Sequence, residues 1–350
     1  MPTKTKSILI TGGAGFIGSN FIRYFMNKYQ DFYQIINLDK LTYASDHENL
    51  KDLKSQKNYF FIKDDICNQK IVLDLFENFK IGGVIHFAAE SHVDNSIKNP
   101  AEFIETNIKG TFTLLEVARN FWLKSPNNPK KEFEEARFHH VSTDEVYGSL
   151  PKTGLFTEET AYAPNSPYSA SKASSDFLVR AYFRTYSLNT TISNCSNNYG
   201  PFQHEEKLIP VIIKKAFQLE EIPIYGDGKN IRDWLYVEDH CRAIDLIYHQ
   251  AKNGESYNIG GSNEKTNLEI VKKICQILDQ KKPRKDQRSY QELIKFVPDR
   301  YGHDRRYAID NSKIKNKLNW QAKESFETGI SKTVDWYLSN LAAIPKAGSV

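Results

Sequence analysis

Five short apolar runs mark the first part of the chain: "SILIT" (7–11), "YQIINLD" (33–39), "YFFIK" (59–63), "GVIHFAA" (83–89) and "RFHHVST" (137–143). Continuous apolar runs of this length predict strands covered on both faces, as in a parallel sheet. Between them the spacing becomes helical. Phe16 to Tyr29 follows a glycine turn, and Ile104, Ile108, Thr111, Leu115 and Ala118 recur at helical intervals. Alternating strand and helix predicts an α/β fold with a Rossmann-type doubly wound parallel sheet. After about residue 195 the alternation weakens, which predicts a smaller, irregular C-terminal lobe. The expected division is therefore 1–195, completed by part of 230–260, against 196–350. "KSPNNPKKEFEEA" (124–136) and "DQKKPRKDQRSYQE" (279–292) have the proline, asparagine and charge content of surface loops, and the basic residues of the second read as a solvated face.

Composition narrows the class. With 350 residues, 40% of them hydrophobic and 26% charged, the chain can bury a large core. Its 47 basic against 43 acidic residues leave a formal charge of +4, too balanced to argue for nucleic acid as a partner. Cys67, Cys195, Cys241 and Cys275 lie far apart with no CxxC pair, which predicts free thiols in a reducing cytoplasm and no metal site. The N-terminal "MPTKTKSILITGG" has no long apolar core of a signal peptide, and no stretch approaches the roughly 18 apolar residues of a membrane span.

The first strand runs into "GGAGFIG", which places Gly12, Gly15 and Gly18 three residues apart at the opening of a helix. Glycines let the backbone approach a pyrophosphate, and the helix N-terminus offers free N–H groups to its charge. A bare βα turn would use glycine as well. Here, however, the next strand ends in an acid, Asp39, placed to accept hydrogen bonds from an adenosine ribose. A 2'-phosphate would meet that carboxylate, so the expected cofactor is NAD rather than NADP. Asp65 and Ile66 follow the third strand, where an adenine edge could be recognised.

"SPYSASK" carries Tyr168 and Lys172, four apart and so on one helical face. An ammonium there favours the phenolate and makes the tyrosine a better base. The strand "RFHHVST" ends in two adjacent acids, Asp144 and Glu145, which hydride transfer alone does not require.

The glycine pattern, Asp39, "TNIKGT", the Ser142–Thr143 strand end and Tyr168–Lys172 together resemble the extended short-chain dehydrogenase/reductase family. "HFAAESHVDNSI", "VSTDEVYG", "CSNNYGP", "EKLIP", "GKNIRDWLYVEDH", "YNIGG" and "DRYGHDRRYAID" bring the resemblance closer, to its nucleotide-sugar 4,6-dehydratases acting on dTDP-glucose, over residues 7 to about 338. The resemblance implies a redox-neutral loss of water that uses NAD as a temporary hydride store. It gives Tyr168 the C4 hydroxyl proton, Thr143 a hydrogen bond to that oxygen, Glu145 the C5 proton as base, and Asp144 the departing C6 hydroxyl as acid. For the cofactor it implies Gly12, Gly15, Phe16, Ile17, Gly18, Asp39, Lys40, Leu41, Thr42, Asp65, Ile66, Phe87, Ala88, Ala89, Ser91, Thr106, Tyr168, Lys172 and Asn198. For the nucleotide-sugar it implies Ser91, Thr143, Asn197, Lys207, Leu208, Pro223, Ile224, Tyr225, Arg232, Asn267, Asp299, Arg300 and His303. Arg232 and Arg300 suit bidentate contacts to a diphosphate, although "IRDW" and "HDRR" also fit structural salt-bridge clusters. A homodimer is implied through the helices after Pro100 and Tyr168.

The chain departs from the family wording at Asn95, usually arginine, at Tyr301, at "QHEE" (203–206), and in the shortened segment before Phe156. None of these touches the chemical residues, whereas Tyr301 bears on how the nucleotide is held. Two rival readings have distinguishing features. An epimerase or decarboxylase has no need of an adjacent acid and base at a strand end. A non-catalytic NAD-binding regulator would be expected to lose Tyr168, Lys172 or the acids, and all are present.

Overall fold

The computed structural model describes residues 6–299 and 304–342. Seven strands make one sheet: β1 (Lys6–Thr11), β2 (Tyr33–Asp39), β3 (Tyr59–Lys63), β4 (Ile81–His86), β5 (Arg137–Thr143), β6 (Thr190–Cys195) and β7 (Ser256–Ile259). They lie in the order β7-β6-β5-β4-β1-β2-β3, every neighbouring pair parallel. The apolar runs become strands because both faces are covered. Leu9, Ile36 and Val84 pack on one side against helices α2 (Gln69–Phe79) and α3 (Thr111–Trp122). Ile8, Ile10, Ile35 and Ile85 pack on the other against α1 (Phe16–Tyr29) and the helix Val237–Gln250. Successive strand residues point to opposite faces, so an all-apolar run serves both layers at once.

Three of the five runs have the boundaries read from sequence. β1 gains Lys6, and the fourth run shifts: β4 begins at Ile81 and ends at His86. The helical spacing before α3 misleads at its start. Residues Ile104–Gly110 form a π-helical segment between Pro100–Phe103 and α3. Bonding to the fifth residue delays the register, so Phe103 and Asn107 turn inward while Ile104 is 58% exposed. Thr111, Leu115 and Ala118 are buried as the spacing implied. The basic segment at 279–292 begins inside the helix Asn267–Lys281 and continues as turns, with Arg284 and Arg288 paired to Asp286 and Glu292.

α4 (Pro167–Tyr186) starts where its sequence says it should. Ser166 accepts from the Ser169 N–H, Ser169 Oγ accepts from the Ser166 N–H, and Pro167 occupies the first turn. This reciprocal cap satisfies two otherwise orphaned donors. It also sets the phase of the helix, so that Tyr168, Lys172 and Asp176 all face inward.

The smaller lobe gathers helices Leu208–Gln218, Asn267–Lys281 and Phe326–Ala342 around Tyr199, Trp234 and Tyr236. Two short sheets support it: Ile231–Tyr236 between Asn197–Tyr199 and Glu264–Thr266, and Ile222–Tyr225 beside Ile294–Val297. Among the described residues no helix is long and apolar enough to cross a membrane.

Candidate active site

The strand order reverses between β1 and β4, and a cleft of about 310 Å³ opens at the carboxyl ends of the strands there. That is where open α/β sheets hold ligands. Each strand end contributes. After β1, Gly12, with φ +69°, crosses so near β4's exit that a Cβ would lie 2.6 Å from the Ala88 nitrogen. A Cβ at Gly18 would lie 2.3 Å from the Gly12 carbonyl. The loop is therefore tight against its neighbours and presents only backbone to the cleft, which suits the close approach of a pyrophosphate.

Asp39 ends β2 with both carboxylate oxygens engaged. Oδ2 accepts from the Ala14 N–H at 2.9 Å, and Oδ1 accepts from the Leu41 N–H at 2.8 Å and the Ser45 hydroxyl at 3.1 Å. It thereby ties the glycine loop to the loop after β2 while still lining the cleft. Lys40 reaches Asp65 across the cleft wall at 2.9 Å. Gly15, Phe16, Ile17, Thr42, Ile66, Phe87, Ala88, Ala89, Ser91, Thr106 and Asn198 also line the cleft; Leu41 does not, and contributes only through its N–H to Asp39. This donor set fits a dinucleotide whose adenosine ribose carries free hydroxyls.

Thr143, Asp144, Glu145, Tyr168 and Lys172 meet in the same cleft. Thr143 Oγ1 accepts from the Glu145 N–H at 3.3 Å and lies 3.4 Å from Asp144 Oδ1. The two acids have different surroundings. Asp144 is 2% exposed, and burial, then the charge of Glu145, holds its carboxyl well above the usual range. Glu145 is half-buried. Burial, then Glu145, pushes the Tyr168 phenol well up, while its hydrogen bond with Thr143 works the other way. The expected lowering by Lys172 is not the dominant effect. The Lys172 amine is directed to the Val141 carbonyl at 2.9 Å, and burial brings it down to about 8.

Of the residues read as nucleotide-sugar ligands, Ser91, Thr143, Asn197 and Lys207 line this cleft, and the Lys207 amine donates to the Ser91 carbonyl at 3.2 Å. Leu208, Pro223, Ile224, Tyr225, Arg232, Asn267 and Asp299 belong to the smaller lobe and are not among the residues lining the cleft. Arg300, His303 and Tyr301 fall outside the described residues. Arg232 is buried, donates to the Ile231 and Asp304 carbonyls at 2.8 and 3.0 Å, and stacks over Tyr307 at 4.3 Å. Its charge also acts on Asp144. Asp233 is structural: it accepts from the Gly261 and Asn263 N–H groups. Arg305 and Arg306 pair with Asp227 and Glu264.

Several cleft residues carried no signal of their own in the sequence. Glu90 and Ser142 lay inside quoted motifs, Cys195 ends β6, and Gln203 and His204 belong to the divergent "QHEE" segment. No group of three or more His, Cys, Asp or Glu among the described residues could hold a metal ion.

Comparison with known proteins agrees with this geometry. Residues 9–333 match the family model described as GDP-mannose 4,6 dehydratase. The chain is 54% identical over 342 residues to dTDP-glucose 4,6-dehydratase 1 of Escherichia coli K12, covering 95% of this chain and 93% of that one. The crystal structure of dTDP-glucose 4,6-dehydratase from Bacillus anthracis, in complex with NAD, superposes with a TM-score of 0.83 at 45% identity, covering 96% and 97% of the two chains. The enzyme of the same name from Streptomyces venezuelae, with NAD and TYD bound, gives 0.86 at 41% identity, covering 96% and 98%. By overall sequence, by fold and by the cleft at its strand ends, the chain belongs to the family of the dTDP-glucose 4,6-dehydratases.

Proposed function

We infer that this protein is a hydro-lyase that converts dTDP-glucose to dTDP-4-keto-6-deoxyglucose and water, with NAD as its cofactor. The observation that carries the reading is the Thr143–Asp144–Glu145 turn facing Tyr168, with one acid wholly buried and its neighbour half-buried. The larger unit, 1–195 with part of 230–260, holds the cofactor, and the remainder mainly holds the nucleotide-sugar.

The glycine loop, Asp39, Asp65 and Thr106 would hold NAD, which when bound takes up the C4 hydrogen with its electron pair and returns it at C6. Tyr168 accepts the C4 hydroxyl proton, and Thr143 hydrogen-bonds to that oxygen. Burial of Tyr168 opposes its ionisation, so positive charge must compensate, and Lys172 on the same helical face supplies it. The ketone formed at C4 acidifies C5, because the resulting carbanion is delocalised as an enolate. Glu145 removes the C5 proton, and C5 is reprotonated from that side, with a proton that exchanges with water, when the hydride arrives at C6. Asp144, kept protonated by burial, gives its proton to the departing C6 hydroxyl. Two carboxyl groups with separated proton affinities thus divide acid and base work between them.

Arg232 binds the diphosphate end of the substrate. The protein acts in the cytoplasm as a homodimer. Exposed Ile104 and Phe112, on the segment from Pro100 into α3, and Phe177 on α4 give those helices the apolar faces that such a pairing would cover.

The test follows the hydrogens. Substrate deuterated at C4, turned over in ordinary water, is expected to give product deuterated at C6. Unlabelled substrate in heavy water is expected to gain deuterium at C5 and essentially none at C6. An epimerase would return the label to C4, and a decarboxylase would shorten the sugar. Solvent deuterium at C6 with loss of the C4 label would overturn the reading.

A further inference from the structure

Beneath Tyr168 and Lys172 lies a buried polar group that none of these steps uses. Asp176 sits one turn beyond Lys172 on α4 and is fully buried. Its Oδ2 accepts from the Ser142 hydroxyl at 2.9 Å, the Tyr162 hydroxyl at 2.8 Å and the Asn194 amide at 3.2 Å. The same Asn194 amide reaches the Thr143 carbonyl at 3.2 Å. Asp176 Oδ1 faces His140 Nε2 at 3.3 Å, and that nitrogen is also 3.3 Å from the Lys172 amine. One imidazole nitrogen can donate to the carboxylate or accept from the amine, but not both.

An ammonium removed from water needs an anion close by. The groups around Lys172 leave one candidate. His140 on β5 and His86 on β4 are buried, which pushes both well below their ordinary values and leaves them neutral. Burial pushes the Cys195 thiol on β6 up to about 12 and the Asp144 carboxyl well above its usual range, which disfavours the anion of each. Tyr168 is likewise raised, and Glu145 acts on it from the half-buried side of the cleft. Asp176 remains: burial raises it above its ordinary value as well, but the charge of Lys172 and three neutral donors pull it back towards the carboxylate.

We propose that Asp176 is a positioning residue of this active site: across His140 it holds Lys172 as a charged ammonium on the Val141 carbonyl, and through Ser142 and Asn194 it fixes the strand end that carries Thr143. The proposal rests on the reading of Tyr168 and Lys172 as the proton-accepting pair. Its consequence is directional. Without the Asp176 charge, Lys172 loses its proton at lower pH, and turnover that needs the ammonium fails earlier as pH rises.

The experiment compares the NAD-loaded parent with Asp176→Asn and Tyr162→Phe, each labelled with [13Cε]lysine and titrated by NMR. The Lys172 midpoint, which burial already brings down to about 8, is expected to lie lower in Asp176→Asn than in the parent by about one unit or more. In Tyr162→Phe, which removes one of the hydrogen bonds to Asp176, together with the hydroxyl's contacts to Arg180 and Asn194, and keeps the Asp176 charge, it should stay nearly unchanged. This titration needs no sugar, so its outcome is separate from whether dTDP-glucose is the substrate. With dTDP-glucose, the alkaline limb of kcat should move down by the same interval in Asp176→Asn, with KM little affected. Superimposable Lys172 titrations in parent and Asp176→Asn, with only a drop in thermal stability, would overturn the proposal. If Asp176→Asn does not fold, the parent alone decides: its Asp176 carboxyl carbon should read as ionised at pH 7, and a protonated signal there would sink the idea.

Discussion

Asp144 and Glu145 are adjacent in sequence, yet one is sealed in and the other stands half in water, and that difference can be measured. Glu145→Gln keeps the shape of the side chain but cannot accept the C5 proton. Turnover of dTDP-glucose should fall by about 10²–10⁴-fold with substrate affinity nearly intact, and a near-normal rate would exclude Glu145 as the base. Asp144 makes a prediction about stability. Its carboxyl holds a proton in the folded protein up to a higher pH than in the unfolded chain, where aspartate titrates near ~3.9. Between those two values the unfolded state binds fewer protons, so stability falls as pH rises through that window. Asp144→Asn removes this contribution. The variant should lose elimination activity and yet unfold at a temperature about 2 °C or more above the parent at pH 8, with the gap closing below pH ~4. Calorimetry across that range checks it. The identities of these residues were legible from the motif in which they stand. Their roles came only with the resemblance, and the unequal surroundings that suit those roles were not legible, because burial of Asp144 and the opposing charges of Asp233 and Arg232 come from tertiary packing of segments remote in sequence.

At the scale of elements, the chain announces itself where a local rule and the tertiary fold agree. The glycine loop and the acid closing β2 were readable because the backbone there has few alternatives, and the Ser166 cap of α4, which the sequence reading did not single out, obeys an equally local rule. Ser166→Ala should therefore cost about 1 kcal/mol of stability. It should also slow turnover, since the capped turn carries Tyr168, and chemical denaturation with steady-state kinetics on one preparation tests both. Sequence reasoning failed where one element changes the register of another. The π-helical turn at Ile104–Gly110 moved Asn107 inward, where its side chain clamps the Glu90 backbone N–H and carbonyl and donates to Ser171. No periodicity count anticipates that, because the helical repeat is broken inside a continuous helix. The cleft residues Gln203 and His204 were missed for another reason. They come from a loop whose wording diverges, and only the packing of the smaller lobe brings them to the mouth of the sheet.

At the scale of the whole molecule, the cleft is a joint product of both lobes. Arg232 leaves the strand Ile231–Tyr236 of the smaller lobe and is held by carbonyls of Ile231 and Asp304. Arg232→Ala should weaken dTDP-glucose binding by more than about tenfold, the worth of a charge-assisted hydrogen bond, while leaving NAD binding in place. Equilibrium titration with each ligand separates the two, and unchanged sugar affinity would return Arg232 to a structural role beneath Tyr307. The dominant sheet was legible from sequence up to β5; β6 was not named as a strand, and β7 was missed because it is supplied from beyond the first part of the smaller lobe. The chain crosses repeatedly between the two units. It leaves the sheet after β6, enters the smaller lobe, returns for the helix Val237–Gln250 and β7, and goes back to the smaller lobe at Glu264–Thr266. At Phe156↔Ile309 it touches the sheet unit again before the helix Phe326–Ala342 closes the smaller lobe. A nucleotide-binding module threaded in this way cannot be exchanged by one splice. A hybrid cut once after Cys195 would pair a foreign β7 with the native β6, and would graft unrelated surfaces onto both cores. Changing the sugar taken by this scaffold is therefore a matter of side chains at the cleft, and lineages built on it should diverge by substitution rather than by shuffling.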